Sequence, residues 1–445
     1  MLAWLLGVAC WFGCQTPADA VSPEDLAAER GRKALLERSF LPAAWSREAY
    51  EKASTFLGED APSSTDAAAY EQAFRDRYGL HPAPFPNHGL PMGLREARSR
   101  RGEIGLHIDC MVCHGGSIGG TSYVGLGNTQ LDLEALLKDL TRAEGGIVPI
   151  SLFTINSTRG TNNAGMIDVA LLSLREPDLS YRRVPLLTGA NLPELDTPAW
   201  WLLKKKRTKY YDGRTSADAV RSNMQFLMGS LSRTQIEALE PTFEDLDQYF
   251  RSIEPPKYPF PIDARLAETG RAIFEDQCAR CHGTYGANPT YPNKIIPLAE
   301  IGTDPARARG LSRAFVAHYN ASWFGEKHPV NETLTGYQAP PLDGVWATAP
   351  YLHNGTVPTI YHMLKSSERP AQFLRPPTTG FEHYDTQRVG WKSSSFELRD
   401  TARFPGERKR VVDTSRFGLG NGGHTYGDVL SEEERNAVIE YLKTL

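Results

Sequence analysis

Apolar residues recur at helical spacing near the start of the chain. Residues 24–37 and 67–78 both show this period, with charged residues on the remaining faces. They lie in a region rich in Ala, Glu and Arg. We therefore predict a helical lead-in over residues 21–80.

The same spacing returns in the second half of the chain. Asp263 can cap a helix in which Gly270 and Phe274 follow at helical positions. Near residue 445, Ser431 and Glu434 form a capping box ahead of an apolar stripe. We expect these two helices to pack against each other.

Proline-rich segments divide the chain. Residues 81–92 break any helix, and residues 255–261 form a stiff connection. No strand-rich region stands out, and residues 154–164 are predicted to form a loop. The predicted organisation is a leader over 1–20, a helical N-terminal extension over 21–92, a first domain over 93–252, a linker over 253–262 and a second domain over 263–445.

Composition and the first residues bear on compartment. The 445 residues are 40% hydrophobic with a net charge of −4, which is typical of a globular protein and gives no indication of nucleic-acid binding. The apolar run at the start is too short to span a bilayer and has the length of a signal-peptide core. Cleavage after Ala18-Asp19-Ala20 competes with lipidation at Cys14, which we narrowly favour. We expect an exported or periplasmic protein, with a lipid anchor in the second case.

Two copies of Cys-x-x-Cys-His carry the most specific chemistry. They occupy residues 110–114 and 278–282. On a helical turn both thiols can bond the vinyl groups of one porphyrin while the adjacent imidazole reaches its iron. A zinc site would need further ligand pairs, and a thioredoxin-like pair would not explain the repeated His. The predicted attachment residues are Cys110, Cys113, His114, Cys278, Cys281 and His282.

The cysteine count agrees with covalent haem attachment outside the cytoplasm. Four of the six cysteines lie in the two motifs and the other two lie in the leader, so none is left for a disulfide. With two haem c groups and helical patterns around them, the predicted fold class is mostly α, with two cytochrome c-like haem domains and the helical extension.

The second haem has a candidate sixth ligand in His424. This residue lies in a glycine-rich loop, residues 420–427, directly before the closing helix. Met363 is the rival, and His353 is a third residue that can contact either haem. For the first haem no sixth ligand stands out, because His107 is too close along the chain. Asn128 and Gln130 either line a pocket there or cap the following helix.

The segment between the motifs is aromatic. Trp201 and Tyr211 are candidate electron carriers, although aromatic clusters more often form core. The basic run over residues 204–209 is a solvated face, a clamp for haem propionates or a docking patch for an acidic redox partner.

Two segments of the sequence carry a resemblance to a known family. The chain resembles the bacterial di-haem cytochrome c peroxidase superfamily, which includes the methylamine-utilisation di-haem enzyme. Residues 211–214 (Tyr-Asp-Gly-Arg) resemble its Trp-Asp-Gly-Arg segment, and residues 341–359 are similar to its second-domain signature. The 168-residue separation of His114 and His282 is also of the family's kind. The resemblance runs from about Gly89 onward.

Within the superfamily, the chain is most similar to the di-haem rubber-oxygenase-like branch. That likeness implies that His282 and His424 bind one iron while His114 alone binds the other, where oxygen reacts. The chain is much shorter than those oxygenases. The peroxidase resemblance places Gln225 about where the family has a catalytic Glu, and it leaves room for a structural calcium ion.

These observations predict a haem oxidoreductase. An electron-transfer haem at the second motif feeds an active haem at the first, which reduces peroxide or activates oxygen. The alternatives are a non-enzymatic periplasmic electron carrier and an oxygenase that cleaves an apolar substrate. The expected partners are a small redox protein as electron donor or acceptor and a small-molecule oxidant.

Overall fold

A computed structural model describes residues 22–146, 155–333, 335–393 and 405–445. The predicted leader, residues 1–20, lies outside the described residues. Within the described parts, no helix combines the length and apolar character needed to cross a bilayer.

The α-helices range from four to fifteen residues, and many begin after a short polar residue that caps the first turn. Ser22, Asp66 and Asp263 each accept a backbone N–H in the first turn of a helix. The helices are α1 (Pro23–Glu37), α2 (Arg47–Lys52), α3 (Ala67–Tyr78), α4 (Met111–His114), α5 (Leu133–Ala143), α6 (Ala164–Ser173), α7 (Arg233–Glu237), α8 (Glu240–Ser252), α9 (Ala264–Gln277), α10 (Ala279–His282), α11 (Leu298–Ile301), α12 (Ala306–Gly310), α13 (Arg313–Ala321), α14 (Ile360–Leu364) and α15 (Glu432–Leu442).

The strands are short and form small antiparallel sheets. One sheet has three strands in the order β1-β3-β2, and the others described are two-stranded: β4-β5, β6-β7, β8-β9, β10-β11, β12-β15 and β13-β14. The strands are β1 (Trp45–Ser46), β2 (Leu94–Arg98), β3 (Ile104–Ile108), β4 (Gly115–Ile118), β5 (Thr121–Val124), β6 (Thr161–Asn162), β7 (Leu195–Asp196), β8 (Thr208–Lys209), β9 (Thr215–Ser216), β10 (Ile295–Pro297), β11 (Gly336–Gln338), β12 (Gln372–Leu374), β13 (Tyr384–Asp385), β14 (Gly390–Trp391) and β15 (Val411–Asp413).

The predicted fold class is wrong. The chain is 40% helical and 13% strand, a mixed α/β structure with small sheets, rather than a mostly α chain made of two cytochrome c-like haem domains and a helical extension. The sequence hides these strands because they lack alternation. In β2, Arg95 is buried beside Leu94, and the sequence of β4, Gly-Gly-Ser-Ile, is typical of a turn. Pairing with β3 and β5, rather than local propensity, makes them strands.

The four helices predicted from spacing are present. α1 and α3 cover the two N-terminal patterns, and α9 and α15 cover the two patterns in the second half. α9 and α15 pack closely because Gly270 has no side chain: a Cβ there would lie 1.9 Å from the carbonyl oxygen of Ala437. The capping box of Ser431 and Glu434 is formed in full.

Two of the large clusters of the apolar core meet at a pair of adjacent tryptophans. Trp200 lies in one cluster with Met111 of the first motif region and Phe250 of α8. Trp201 lies in the other, with Phe274 of α9. The chain between the motifs therefore contributes to both cores through neighbouring residues. The predicted domain boundaries stay predictions.

Candidate haem sites

The first motif lies on a single helical turn between two hairpins. Asp109 accepts the backbone N–H of Met111 at 2.8 Å and fixes the start of α4, and Arg95 pairs with the same carboxylate at 2.9 Å. Burial raises the pKa of the Cys110 and Cys113 thiols to about 12, with the Asp109 carboxylate adding to the rise for Cys110. The two thiols lie on one turn, the arrangement in which both can form thioether bonds to one porphyrin.

His114 faces an aromatic stack. Its ring lies 4.7 Å from that of Trp200 with 21° between the planes, and Trp200 stacks in turn on Phe250 at 4.0 Å. Burial lowers the pKa of His114 to about 4, partly offset by the backbone of Pro198. The imidazole is therefore neutral near pH 7, the state that a metal ligand needs.

A buried polar network lies behind the first motif. Asn128 donates to the Gly79 carbonyl at 2.8 Å, while its backbone N–H donates to Cys113 at 2.8 Å. His81 donates to the Asn128 Oδ1 at 3.1 Å and accepts from the Ser117 hydroxyl at 2.9 Å. Asn128 therefore braces the motif rather than capping the next helix, whose cap is Asp132.

The second motif follows directly from α9. Cys278 ends that helix, and Cys281 and His282 lie on the next turn, α10. The His282 Nδ1–H donates to the Pro340 carbonyl at 2.8 Å. This bond leaves the Nε2 lone pair free and fixes the ring direction, which is the usual outer support of a metal-binding imidazole. Burial raises the pKa of the Cys278 thiol to about 11.

The structure brings His424 to His282. The two ring centres lie 6.2 Å apart with 61° between the planes. Two imidazoles that bind one iron from opposite faces, through metal–nitrogen bonds of about 2.0 Å, place their ring centres about 6 Å apart. Burial, together with the nearby His282 and Arg369, lowers the pKa of His424 to about 3, so the ring is neutral at physiological pH. These residues fit a six-coordinate haem c.

The other candidate ligands differ in their surroundings. His353 stacks on Tyr337 at 4.2 Å and lies 6.1 Å from the ring of Tyr211. Met363 packs at the edge of the core that contains Cys278. His107 donates through Nδ1 to the Ile108 carbonyl at 2.8 Å on β3.

The three predicted catalytic residues occupy separate places. The Trp201 indole donates to the Asp343 carbonyl at 2.8 Å, and Tyr211 donates to the Asp196 carbonyl at 3.1 Å. Gln225 is buried, donates to the Ser222 carbonyl at 3.1 Å and leaves its Oε1 without a partner among the described residues. Their catalytic roles remain predictions.

Several supporting residues carry no clear signal in the sequence. His81 bonds Asn128 from the proline-rich segment 81–92, whose sequence indicates only that a helix ends there. Pro340 precedes the family-like signature by one residue, and only the fold brings its carbonyl to His282. The family-like segment at residues 341–359 was the feature of the sequence that could have suggested the contact between Pro340 and His282.

The calcium prediction is not supported by a ligand cluster. Across residues 22–146, 155–333, 335–393 and 405–445, no group of three or more His, Cys, Asp or Glu side chains is placed to hold a metal ion. The calcium ion remains only an implication of the resemblance.

Comparison with known proteins identifies a cytochrome c-like segment. Residues 336–374 match the family model described as "RoxA-like, cytochrome c-like". This range contains Pro340, the carbonyl partner of His282. The match supports a haem-based redox function, and a cytochrome c-like segment implies covalently bound haem c.

Curated relatives come from Sinorhizobium fredii (strain NBRC 101917 / NGR234). The uncharacterized protein y4iM is 31% identical over 56% of this chain and 64% of its own length. The uncharacterized protein y4iJ is 30% identical over 47% of this chain and 44% of its own length. The matched regions thus span less than two thirds of either relative.

A solved structure, that of Kuenenia stuttgartiensis hydrazine synthase pressurized with 20 bar xenon, is 14% identical. It covers 67% of this chain and 95% of its own, but the TM-score of 0.21 is too low to carry an argument.

Proposed function

We propose that the protein is an exported c-type oxidoreductase with two covalent haems. The second motif holds a haem for electron exchange, and the first motif holds a haem at which peroxide is reduced or oxygen is activated. The observation that carries this proposal is the contrast between the two motif histidines. His282 faces a second imidazole at 6.2 Å, whereas His114 stacks on Trp200.

When bound, the two haems would supply one-electron redox chemistry. His282 and His424 would hold the second iron, and His114 would hold the first and leave it accessible to a small oxidant. The chain's own contribution is to hold the ligands. The Pro340 carbonyl orients His282 by accepting the Nδ1–H of the imidazole. Burial keeps His114, His282 and His424 neutral.

The adjacent tryptophans support electron exchange between the two sites. Trp200 contacts His114 directly, and Trp201 packs in the core formed with α9 and α15. One peptide bond joins them, so two neighbouring aromatic residues lie one against His114 and the other in the core against which Cys278 packs. Tyr211, which stands where the family has Trp, lies beside His353 instead.

A second candidate is an oxygenase that cleaves an apolar substrate. The match of residues 336–374 to the RoxA-like family favours it, in line with the rubber-oxygenase-like branch. Export, a lipid anchor at Cys14 and a small redox partner follow from the sequence of the first residues and from the haem chemistry, and they are part of the proposal.

The test is low-temperature EPR of the purified ferric protein, with and without cyanide. We expect one low-spin signal from two imidazoles and a second signal that changes on adding cyanide. His424→Ala should convert the low-spin haem to a high-spin one, while His88→Ala, at an exposed histidine on the surface, should leave both signals unchanged. An unchanged spectrum in His424→Ala removes His424 as a ligand.

If neither iron binds cyanide in any redox state, the protein is an electron carrier and the enzyme proposal fails. Peroxide turnover with a reduced small cytochrome supports the peroxidase form. Oxygen consumption with an unsaturated hydrocarbon and no peroxide supports the oxygenase.

A further inference from the structure

One arginine connects the two segments that could supply a sixth ligand to the second haem. The Arg369 guanidinium donates to carbonyls at the end of α14 and in the 420–427 loop. Its bonds are Nε to His362 (2.9 Å), Nη1 to Asn421 (2.7 Å) and Gly423 (2.6 Å), and Nη2 to Met363 (3.2 Å) and His424 (3.1 Å). A guanidinium has five N–H donors, so this set matches its full capacity.

The support of His424 differs from that of His282. Pro340 fixes the His282 ring through Nδ1. The Nδ1 of His424 is buried and has no hydrogen-bond partner among the residues that the structure describes. A ring without an outer hydrogen bond takes its direction from its own backbone. The conformation of the loop therefore decides where this imidazole points.

That backbone is strained and closely packed. His424 has φ +46° and Gly423 has φ +73°, both in the left-handed region. A Cβ on Gly423 would lie 2.2 Å from the backbone of Gly302, and the His424 N–H donates to the Ile301 carbonyl at 2.7 Å. A left-handed non-glycine residue persists only where its surroundings hold it.

We propose that Arg369 is the positioning residue for His424. It holds the carbonyls of Asn421, Gly423 and His424 so that the His424 imidazole stays opposite His282. The proposal rests on the proposed function, in which His424 is the sixth ligand. Arg369 acts through the loop and makes no direct contribution to the iron.

Arg435 provides the matched control. It donates to the carbonyls of Leu364 and Leu430, so it also joins the end of α14 to the chain before α15, and it reaches the last residue of the loop, Gly427, at 3.4 Å. None of its hydrogen bonds reaches residues 421–424. Loss of either guanidinium should loosen this corner of the protein, but only loss of Arg369 should release His424.

The experiment follows displacement of His424 by cyanide in the ferric holoprotein, read as loss of the low-spin signal from two imidazoles. In Arg369→Gln the cyanide affinity of this haem should rise about tenfold or more, because the loop loses hydrogen bonds to a charged group that hold His424 in place. Arg369→Lys should give an intermediate value because an ammonium reaches fewer carbonyls. Arg435→Gln should stay close to the unaltered protein, even if its thermal midpoint falls.

A second measurement separates positioning from an electrostatic effect on the iron. In His424→Gly, added imidazole should bind the second haem, and adding Arg369→Gln to that variant should leave the imidazole affinity within about twofold. The positioning role is overturned if Arg369→Gln changes the imidazole affinity of the His424→Gly protein as much as it changes the cyanide affinity of the protein that keeps His424. It is also overturned if Arg369→Gln leaves the cyanide affinity unchanged, or if Arg435→Gln changes that affinity equally.

Failure of the underlying function gives a different result. If His424→Gly opens no site for imidazole and keeps the low-spin signal, His424 is not the ligand, and the proposed function fails together with this inference. If His424→Gly opens the site but Arg369→Gln changes nothing, only the positioning role fails.

Discussion

The two Cys-x-x-Cys-His motifs share three residues at the same spacing but lie in different surroundings. The first occupies a four-residue helix between antiparallel hairpins, and its histidine rests on Trp200. The second extends a fourteen-residue helix that is packed by α15, and its histidine faces His424. The same attachment chemistry is thus built into unlike frames. This teaches that the motif determines where a haem is bonded, while the surrounding chain determines what the iron can do.

The largest expected effect comes from removing one pair of thiols at a time. Cys110→Ser with Cys113→Ser should leave one covalent haem per chain, and so should Cys278→Ser with Cys281→Ser, because each motif is expected to bond its own porphyrin. Intact-protein mass and the pyridine haemochrome spectrum measure the haem count. Retention of two haems in either variant would contradict the assignment of that motif.

The two variants also test the comparison itself. The variant that keeps only the second haem should retain the low-spin signal from two imidazoles. The variant that keeps only the first should retain the cyanide-sensitive signal. The opposite outcome would reverse the roles that we assign to the two sites.

The surroundings of the second motif should be sensitive to added bulk where α9 and α15 meet. Gly270→Ala places a Cβ 1.9 Å from the Ala437 carbonyl oxygen, so α9 and α15 must move apart. We expect a loss of about 2–3 kcal/mol in the free energy of unfolding, measured by denaturant titration. Gly229→Ala is the matched control, because a Cβ there meets only a side-chain atom of Leu171 at 3.7 Å. A similar loss in both variants would mean that the close helix contact is not the cause.

The surroundings of the first motif should be sensitive to acid through His81. Burial lowers the pKa of His81 from the ordinary 6.5 to about 4, although its bond to Asn128 acts in the opposite direction. The unfolded chain therefore takes up a proton below about pH 6.5, whereas the folded chain does not until about pH 4. Stability should fall as the pH drops through this window, by up to about 3 kcal/mol from this group.

His81→Gln removes that titration. We expect its free energy of unfolding to depend less on pH between 6.5 and 4 than that of the unaltered protein, while the two slopes agree above pH 7. Urea unfolding at several pH values measures both. Parallel curves over the whole range would exclude His81 as a source of the acid sensitivity.

The sequence predicted local features well where a short pattern is sufficient. The capped helices α1, α3, α9 and α15 follow from spacing and polar caps alone. The packing of α9 against α15 was also expected, and the two helices meet at Gly270. The glycine-rich segment around His424 likewise suggested a close approach, and the structure places that ring opposite His282.

The sequence was insufficient where structure depends on distant pairing. β2 carries three charged residues in five positions and becomes a strand only because β3 pairs with it. The support of the first motif by His81 depends on the side chains of Asn128 and Ser117, and the support of the 420–427 loop by Arg369 depends on backbone carbonyls; both sets of partners lie far away in the chain. Neither residue belongs to a recognisable pattern, because a single His or Arg has many structural uses.

The pairing of α9 with α15 has a consequence for biogenesis. The hairpins beside Cys110 and Cys113 lie within residues 94–124, so their ladders can form early as the chain emerges. The frame around Cys278 and Cys281 needs α15 and therefore stays open until residue 442 has been made. An attachment system that acts on an emerging chain should thus meet the first pair of thiols in a partly folded setting and the second in an accessible one. The order in which the cofactors are added is then a property of the fold as well as of the machinery that adds them.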